Sequence, residues 1–176
     1  MRVLAILLSL VVLAACSSEP ETPRPAAFEP LDTLATENDM PTTLCQDVDR
    51  CLVAYLAPWC PSCRATLPLL GNVHRAIGQS PQVELIIVIS SLRRNWTDYQ
   101  QMVDALPGNA SILLDPKDQA WTSQIKENIP GVPGWIVYDQ EGEIMSVMTG
   151  GSNQTSDEAV RGLLYDHLSL DSHMQF

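Results

Sequence analysis

APWCPSCRATLP, residues 57–68, sets Cys60 and Cys63 two residues apart, between Trp59 and a run that ends in Pro68. Such a pair can staple a fold, clip a metal or act as a reactive dithiol. Just upstream, residues 52–56 (LVAYL) form a short apolar run of the kind buried on both faces of a sheet. From about Cys60 onward, Ala65, Leu69, Val73 and Ile77 recur at helical spacing. A strand feeding a helix in this way predicts Cys60 at the helix N-terminus, where unpaired N–H groups and the macrodipole favour a thiolate. Cys63, one turn further in, is placed to attack a mixed disulfide formed on Cys60. Pro68 falls inside the helical pattern, where it removes a hydrogen bond and predicts a kink.

The redox meaning of the pair depends on where the chain resides. Residues 3–15 are apolar but for Ser9 and follow a single basic residue, Arg2. Such a helix would be roughly 20 Å long against a hydrocarbon core of about 30 Å, so it reads as the h-region of an export signal. The run ends in Leu13-Ala14-Ala15-Cys16, which resembles the bacterial lipobox. That resemblance implies cleavage before Cys16 and lipidation of its sulfur; the alternative is an ordinary signal cut with Cys16 incidental. Ser17, where an aspartate would favour retention, implies the outer membrane rather than the inner. Residues 17–30 hold four prolines and little that is apolar besides Phe28, which predicts an extended tether. The expected organisation is a signal peptide over 1–15, a lipidated cysteine and tether over 16–30, and one domain over 31–176.

The 176-residue chain carries a net charge of −11 and no clustered Lys/Arg stripe, which excludes an electrostatic footprint for nucleic acid. With Cys16 set aside, Cys45, Cys51, Cys60 and Cys63 are an even number in an oxidising compartment. Four cysteines allow three pairings, of which Cys45–Cys51 with Cys60–Cys63 is the local one. A zinc clip would need both pairs at one point, yet the strand-like residues 52–56 hold them apart. His74, His167 and His173 lie far from the pair, so no metal is expected. Cys45–Cys51 is expected to be a structural disulfide closing a polar loop; the alternative is a second redox pair relaying electrons to Cys60 and Cys63.

Further along, Gly131-Val132-Pro133 precedes the strand-like residues 135–138, with a turn at 139–142 and Gly150 beyond. WCPSC, a proline five residues past its second cysteine, GVP before a strand, and a hairpin ending in glycine together resemble the thioredoxin superfamily. The resemblance implies an α/β thioredoxin-like fold, a central mixed sheet flanked by helices. It also implies that Pro133 is cis and lies beside the dithiol, and that Val132, with Trp59, meets substrate there. Between Cys63 and Pro133 the pattern reads strand (83–89), helix (97–106), strand (112–115) and helix (117–128). This extra βα unit before the cis-proline resembles the TlpA/ResA-like group of membrane-tethered bacterial envelope proteins. A last helix opens at a Thr155-x-x-Glu158 capping box, with Val160, Leu163, Leu164 and Leu168 on its apolar face.

The chain departs from that group at Thr66, where members often carry glutamate, and from ordinary thioredoxins at Ala54, where a buried aspartate is usual. The function implied is a cell-envelope thiol–disulfide oxidoreductase, with Cys60 attacking, Cys63 resolving, and reduction of protein disulfides as its direction. Its partners would be thiol or disulfide proteins, a membrane or periplasmic electron donor, and the membrane itself through the lipid, facing the periplasm. No cofactor is implied, and a monomer is expected. The competing reading is a copper-binding chaperone using the same thiols. Copper-handling relatives of the fold usually space their cysteines C-x3-C and add a distal histidine, and this chain does neither. A peroxidase is disfavoured, since no Pro-x3-Thr-x2-Cys pattern precedes Cys60.

Overall fold

A computed structural model describes residues 25–36, 44–78, 80–90, 96–108, 110–120 and 128–150, together with 162, 166 and 168. The centre of the molecule is the strand read from LVAYL, β2 (Arg50–Leu56). On one side lie β3 (Val83–Ser90) and β4 (Ser111–Asp115), parallel to it and to each other. On the other lies β5 (Gly134–Asp139), antiparallel to β2, followed by β6 (Ile144–Thr149), antiparallel to β5. A two-residue strand, β1 (Ala35–Thr36), runs antiparallel along β4, giving the order β1-β4-β3-β2-β5-β6. This is the mixed sheet expected of a thioredoxin-like fold.

The period-two alternation of β2 divides its side chains between two cores. Leu52, Ala54 and Leu56 join Leu70, Val73, Trp135, Tyr99 and Met102 on one face. Cys51, Val53 and Tyr55 join Phe28, Leu31, Ile136 and Tyr138 on the other. The first core is built with helix α2 (Pro61–Ile77), whose buried Cys63, Thr66, Leu67, Leu70, Val73 and Ile77 recur at three- and four-residue steps. Pro68 sits inside α2, as the sequence predicts. Helix α3 (Trp96–Asp104) and β4 form the extra unit between β3 and the Val132–Pro133 loop. Leu168, from the expected last helix, is buried in the first core; Thr155 and Glu158, and most of residues 117–128, lie outside the described residues.

The expected tether needs correction at its end. Residues 25–30 are not an extended arm: Ala26–Phe28 form a 3-10 turn leading into the short helix α1 (Glu29–Asp32). Phe28, Leu31 and Leu34 are buried in the second core. Phe28 packs edge-on against Tyr138, with ring centroids 5.4 Å apart. Gly142, at φ +78°, admits Pro25 and Ala27: a Cβ there would lie 2.7 Å from Pro25 Cβ. The apolar contacts of one aromatic outweigh the extended preference of the surrounding prolines.

The β5–β6 turn lies at the end of the sheet where β2 begins, since Gln140 Nε2 donates to Asp49 Oδ1 at 2.8 Å. The outer strand β6 holds neither charge nor proline, and Ile144, Met145 and Val147 on it are exposed.

Candidate active site

Chain direction places the dithiol at the other end of β2. After Leu56, the Cys60 N–H donates to the Ala57 carbonyl at 3.0 Å, closing a turn that delivers Cys60 to the N-cap of α2. The Cys60 sulfur acts as the capping acceptor: the Cys63 N–H donates to it at 3.2 Å. Pro61, at the first helical position, has no N–H to leave unpaired. The Arg64 N–H then donates to the Cys60 carbonyl at 3.2 Å, the first bond of the helical ladder.

Both cysteines are free thiols. The Val132–Pro133 peptide bond is cis, and the Cys60 S–H donates to the Val132 carbonyl at 3.4 Å. The Pro133 carbonyl in turn accepts from the Gly150 N–H at 2.9 Å, tying the loop to the end of β6. Gly134 is required by close approach: a Cβ there would meet the Ile129 side chain and come within 3.0 Å of the Gly131 carbonyl. Cys60, Cys63, Val132 and Pro133 are therefore brought together as the sequence indicates, with Trp59 adjacent and 53% exposed. Cys60 is only 5% exposed, with the Val132 carbonyl against its sulfur.

Cys63 is fully buried. Burial pushes its thiol well above the ordinary value, reinforced by its hydrogen bond with Cys60 and opposed by the Ala57 backbone. Thr66, where members of the group this chain resembles often carry glutamate, is buried with its hydroxyl donating to the Ser62 carbonyl at 2.9 Å. Ala54 is buried in β2 opposite Trp135. Neither position offers Cys63 a base. Among the described residues, Cys60 and Cys63 have no third His, Cys, Asp or Glu with which to form a metal-ligating group.

Arg64 has a role that helical spacing alone does not reveal. Its Nη1 reaches back over the first turn and donates to the Pro58 carbonyl at 2.7 Å, bracing the loop that carries Trp59 and Cys60. No residue pattern signals this bond, since the turn over residues 57–60 brings the Pro58 carbonyl within reach of Arg64.

Cys45 and Cys51 are joined by a disulfide, remote from this site. Both sulfurs belong to the second core, on the far face of β2, and Cys51 lies near the start of the strand. The loop is held as well by the Cys45 N–H, which donates to Glu84 Oε2 at 2.7 Å. Five residue steps along β2 amount to about 17 Å between Cys51 and Leu56, before the turn to Cys60 begins. No direct thiol exchange between the two pairs of one molecule can cross that distance. Cys16 lies outside the described residues.

No protein-family model matches the chain. Among curated proteins it is 30% identical over 112 residues to nucleoredoxin of Bos taurus, covering 62% of this chain and 25% of that protein. Against nucleoredoxin of Xenopus laevis it is 29% identical over 96 residues, covering 53% and 22%. The chain thus spans about a quarter of the length of the curated relatives it matches.

Solved structures match over most of both chains. A secreted Mycobacterium tuberculosis disulfide oxidoreductase homologous to E. coli DsbE superposes with a TM-score of 0.58 at 20% identity, covering 78% of this chain and 98% of that one. StoA from Bacillus subtilis gives 0.54 at 19% identity, with 68% and 87% covered. The N-terminal domain of PilB from Neisseria gonorrhoeae gives 0.55 at 20%, with 80% and 91% covered. The chain shares with these structures the thioredoxin-like fold.

Proposed function

We propose that this chain is a cell-envelope thiol–disulfide oxidoreductase that reduces protein disulfides, held to the membrane by a lipid on Cys16. The observation that carries the reading is the pairing at the helix end, where the Cys63 N–H donates to the Cys60 sulfur beside the Val132 carbonyl. The Cys60 thiolate attacks one sulfur of a substrate disulfide, forming a mixed disulfide and releasing one substrate thiolate, which takes up a proton. Cys63 gives its proton to solvent, attacks the Cys60 sulfur and releases the second substrate thiol. Two electrons pass to the substrate and a Cys60–Cys63 disulfide remains. A periplasmic or membrane thiol donor restores the dithiol. Trp59, Val132 and Pro133 form the rim that meets the substrate, and Cys45–Cys51 serves as a structural disulfide.

Trapping tests the roles. Cys63→Ser accumulates mixed disulfides through Cys60, because attack proceeds and resolution does not, while Cys60→Ser traps nothing. Equal trapping by both variants, or by neither, overturns the assignment. The reduction potential of the Cys60–Cys63 couple tests direction: a potential as oxidising as about −120 mV would make the chain a disulfide donor instead.

A further inference from the structure

β6 is the outermost strand of the sheet, and among the described residues no strand pairs with its free side. The bond from the Gly150 N–H to the Pro133 carbonyl fixes which backbone groups face that side. Pairing alternates along an antiparallel ladder. Met148, opposite Trp135, therefore bonds inward, while Thr149, opposite Gly134, and Val147, opposite Ile136, turn their N–H and C=O groups outward.

The two ends of this edge are not alike. At the end remote from the dithiol, the register shift leaves Met145 without an opposite residue, and Glu141 and Glu143 stand in the turn before it. Pro25 and Ala27 of the N-terminal strap also lie against Gly142 there. Bulges and charges of this kind end strand pairing. At the dithiol end, residues 146–150 carry neither charge nor proline, and Val147 is 37% exposed.

The open end of the edge is continuous with the thiol. Tyr55, Gly134 and Thr149 form one row across β2, β5 and β6, which sets the edge about 10 Å from the strand that leads to Cys60. Val132, whose carbonyl meets the Cys60 sulfur, immediately precedes Pro133, the partner of Gly150. About three extended residues bridge that gap at about 3.3 Å each. Among the described residues, the exposed large apolar side chains are Trp59 beside the dithiol and Ile144, Met145 and Val147 on β6. One ligand covers both: a chain that is extended beside its reacting cysteine.

We infer that the free edge of β6 takes up the substrate as an added strand, so that the substrates are polypeptides whose reacting cysteine is flanked by an extended, uncharged, β-prone segment. Main-chain bonds to Val147 and Thr149 supply the affinity, and the apolar side chains supply the preference. Small disulfides lack such a segment. The inference rests on the reductase reading of Cys60 and Cys63, and the test separates the two.

The prereduced full chain is followed in single turnover against two peptides of equal length, each joined to glutathione through a central cysteine. One carries valine–threonine repeats on both sides of that cysteine, the other glycine–serine repeats. The second-order rate constant for glutathione release should favour the valine–threonine peptide about tenfold, the scale of one or two edge hydrogen bonds. Thr149→Pro removes an outward N–H and spares the ladder to β5, and Val147→Lys sets a charge on the edge. In both variants the preference should fall to about twofold or less. A wild-type preference that small, or one that a folded variant retains, overturns the proposal. A wild-type dimer that Val147→Lys dissociates in sedimentation velocity, with the preference unaltered, assigns the edge to a second copy of the chain instead.

If the wild type reduces neither peptide, the reductase reading fails and the edge is read by binding. A fluorescent valine–threonine peptide with serine in place of cysteine should then bind both variants several-fold more weakly than the wild type, and equal affinity overturns the edge site.

Discussion

Replacing Cys45 and Cys51 together by serine removes a covalent loop with a sequence separation of 6, whose sulfurs lie in the second core. The chain-entropy relation for so small a loop gives about 2.4 kcal/mol of lost stability. For a domain of this size 1 kcal/mol corresponds to about 3 °C, so the melting temperature should fall by about 7 °C. Serine also brings hydroxyls into buried positions, which adds about 1 kcal/mol or more where they find no partner. Melting the wild type in dithiothreitol gives the loop contribution without that addition, and an alanine pair brackets it from the other side. Circular dichroism melts are paired with insulin reduction at 25 °C, where all three forms remain folded. The expected outcome is a lower melting temperature with reductase activity nearly intact, since this disulfide is on the face of β2 opposite the dithiol. An unchanged melting temperature would refute the structural role. Lost activity in a fully folded variant would refute the separation of the two pairs and favour an electron relay between molecules.

Arg64→Ala should free the loop bearing Trp59 and slow Cys60 alkylation and disulfide exchange several-fold, the scale of one hydrogen bond of about 1 kcal/mol; recovery of the full rate in Arg64→Lys would show that charge, not the bond to Pro58, is what matters. Gly134→Ala should cost about 1–3 kcal/mol and slow exchange together, because the added methyl displaces the segment that carries Val132; urea melts and insulin reduction read both. Tyr138 is pushed up to about 12 by burial, against the bond from Tyr55. A folded value above the unfolded one, 10.0, means that this stabilisation is complete below the unfolded value and lost as pH rises through the folded one. The gap in melting temperature between wild type and Tyr138→Phe should therefore narrow from pH 10 to 12, and a constant gap would contradict it.

The site was legible because its determinants are local. LVAYL followed by WCPSC prescribes a strand, a turn and a helix N-terminus within a dozen residues, and chain direction then fixes which end of the sheet receives the sulfur. Pro133 became readable through the family resemblance, since nothing in GVP alone specifies a cis bond. The N-terminal strap was not legible. Its helices are a single turn long, their prolines argue for extension, and what folds them is the contact of Phe28 with Tyr138, about 110 residues away. Local periodicity carries no trace of such a partner. The bond from Arg64 to Pro58 was missed for a related reason: it depends on the conformation of a turn, not on a residue pattern.

The outer strand β6 has a colloidal consequence. Natural sheets shield their rims with lysine, proline or a bulge; Ile144–Thr149 has an irregularity where its register with β5 shifts between Val137 and Tyr138, but it carries no lysine or proline and presents exposed isoleucine, methionine and valine. Like-charge repulsion between molecules takes over that task, and it vanishes near the isoelectric point of about 4.4. Acidification towards that value therefore removes the repulsion that keeps this apolar rim from its neighbours. Purification, crystallisation and storage belong well above that value, at modest ionic strength.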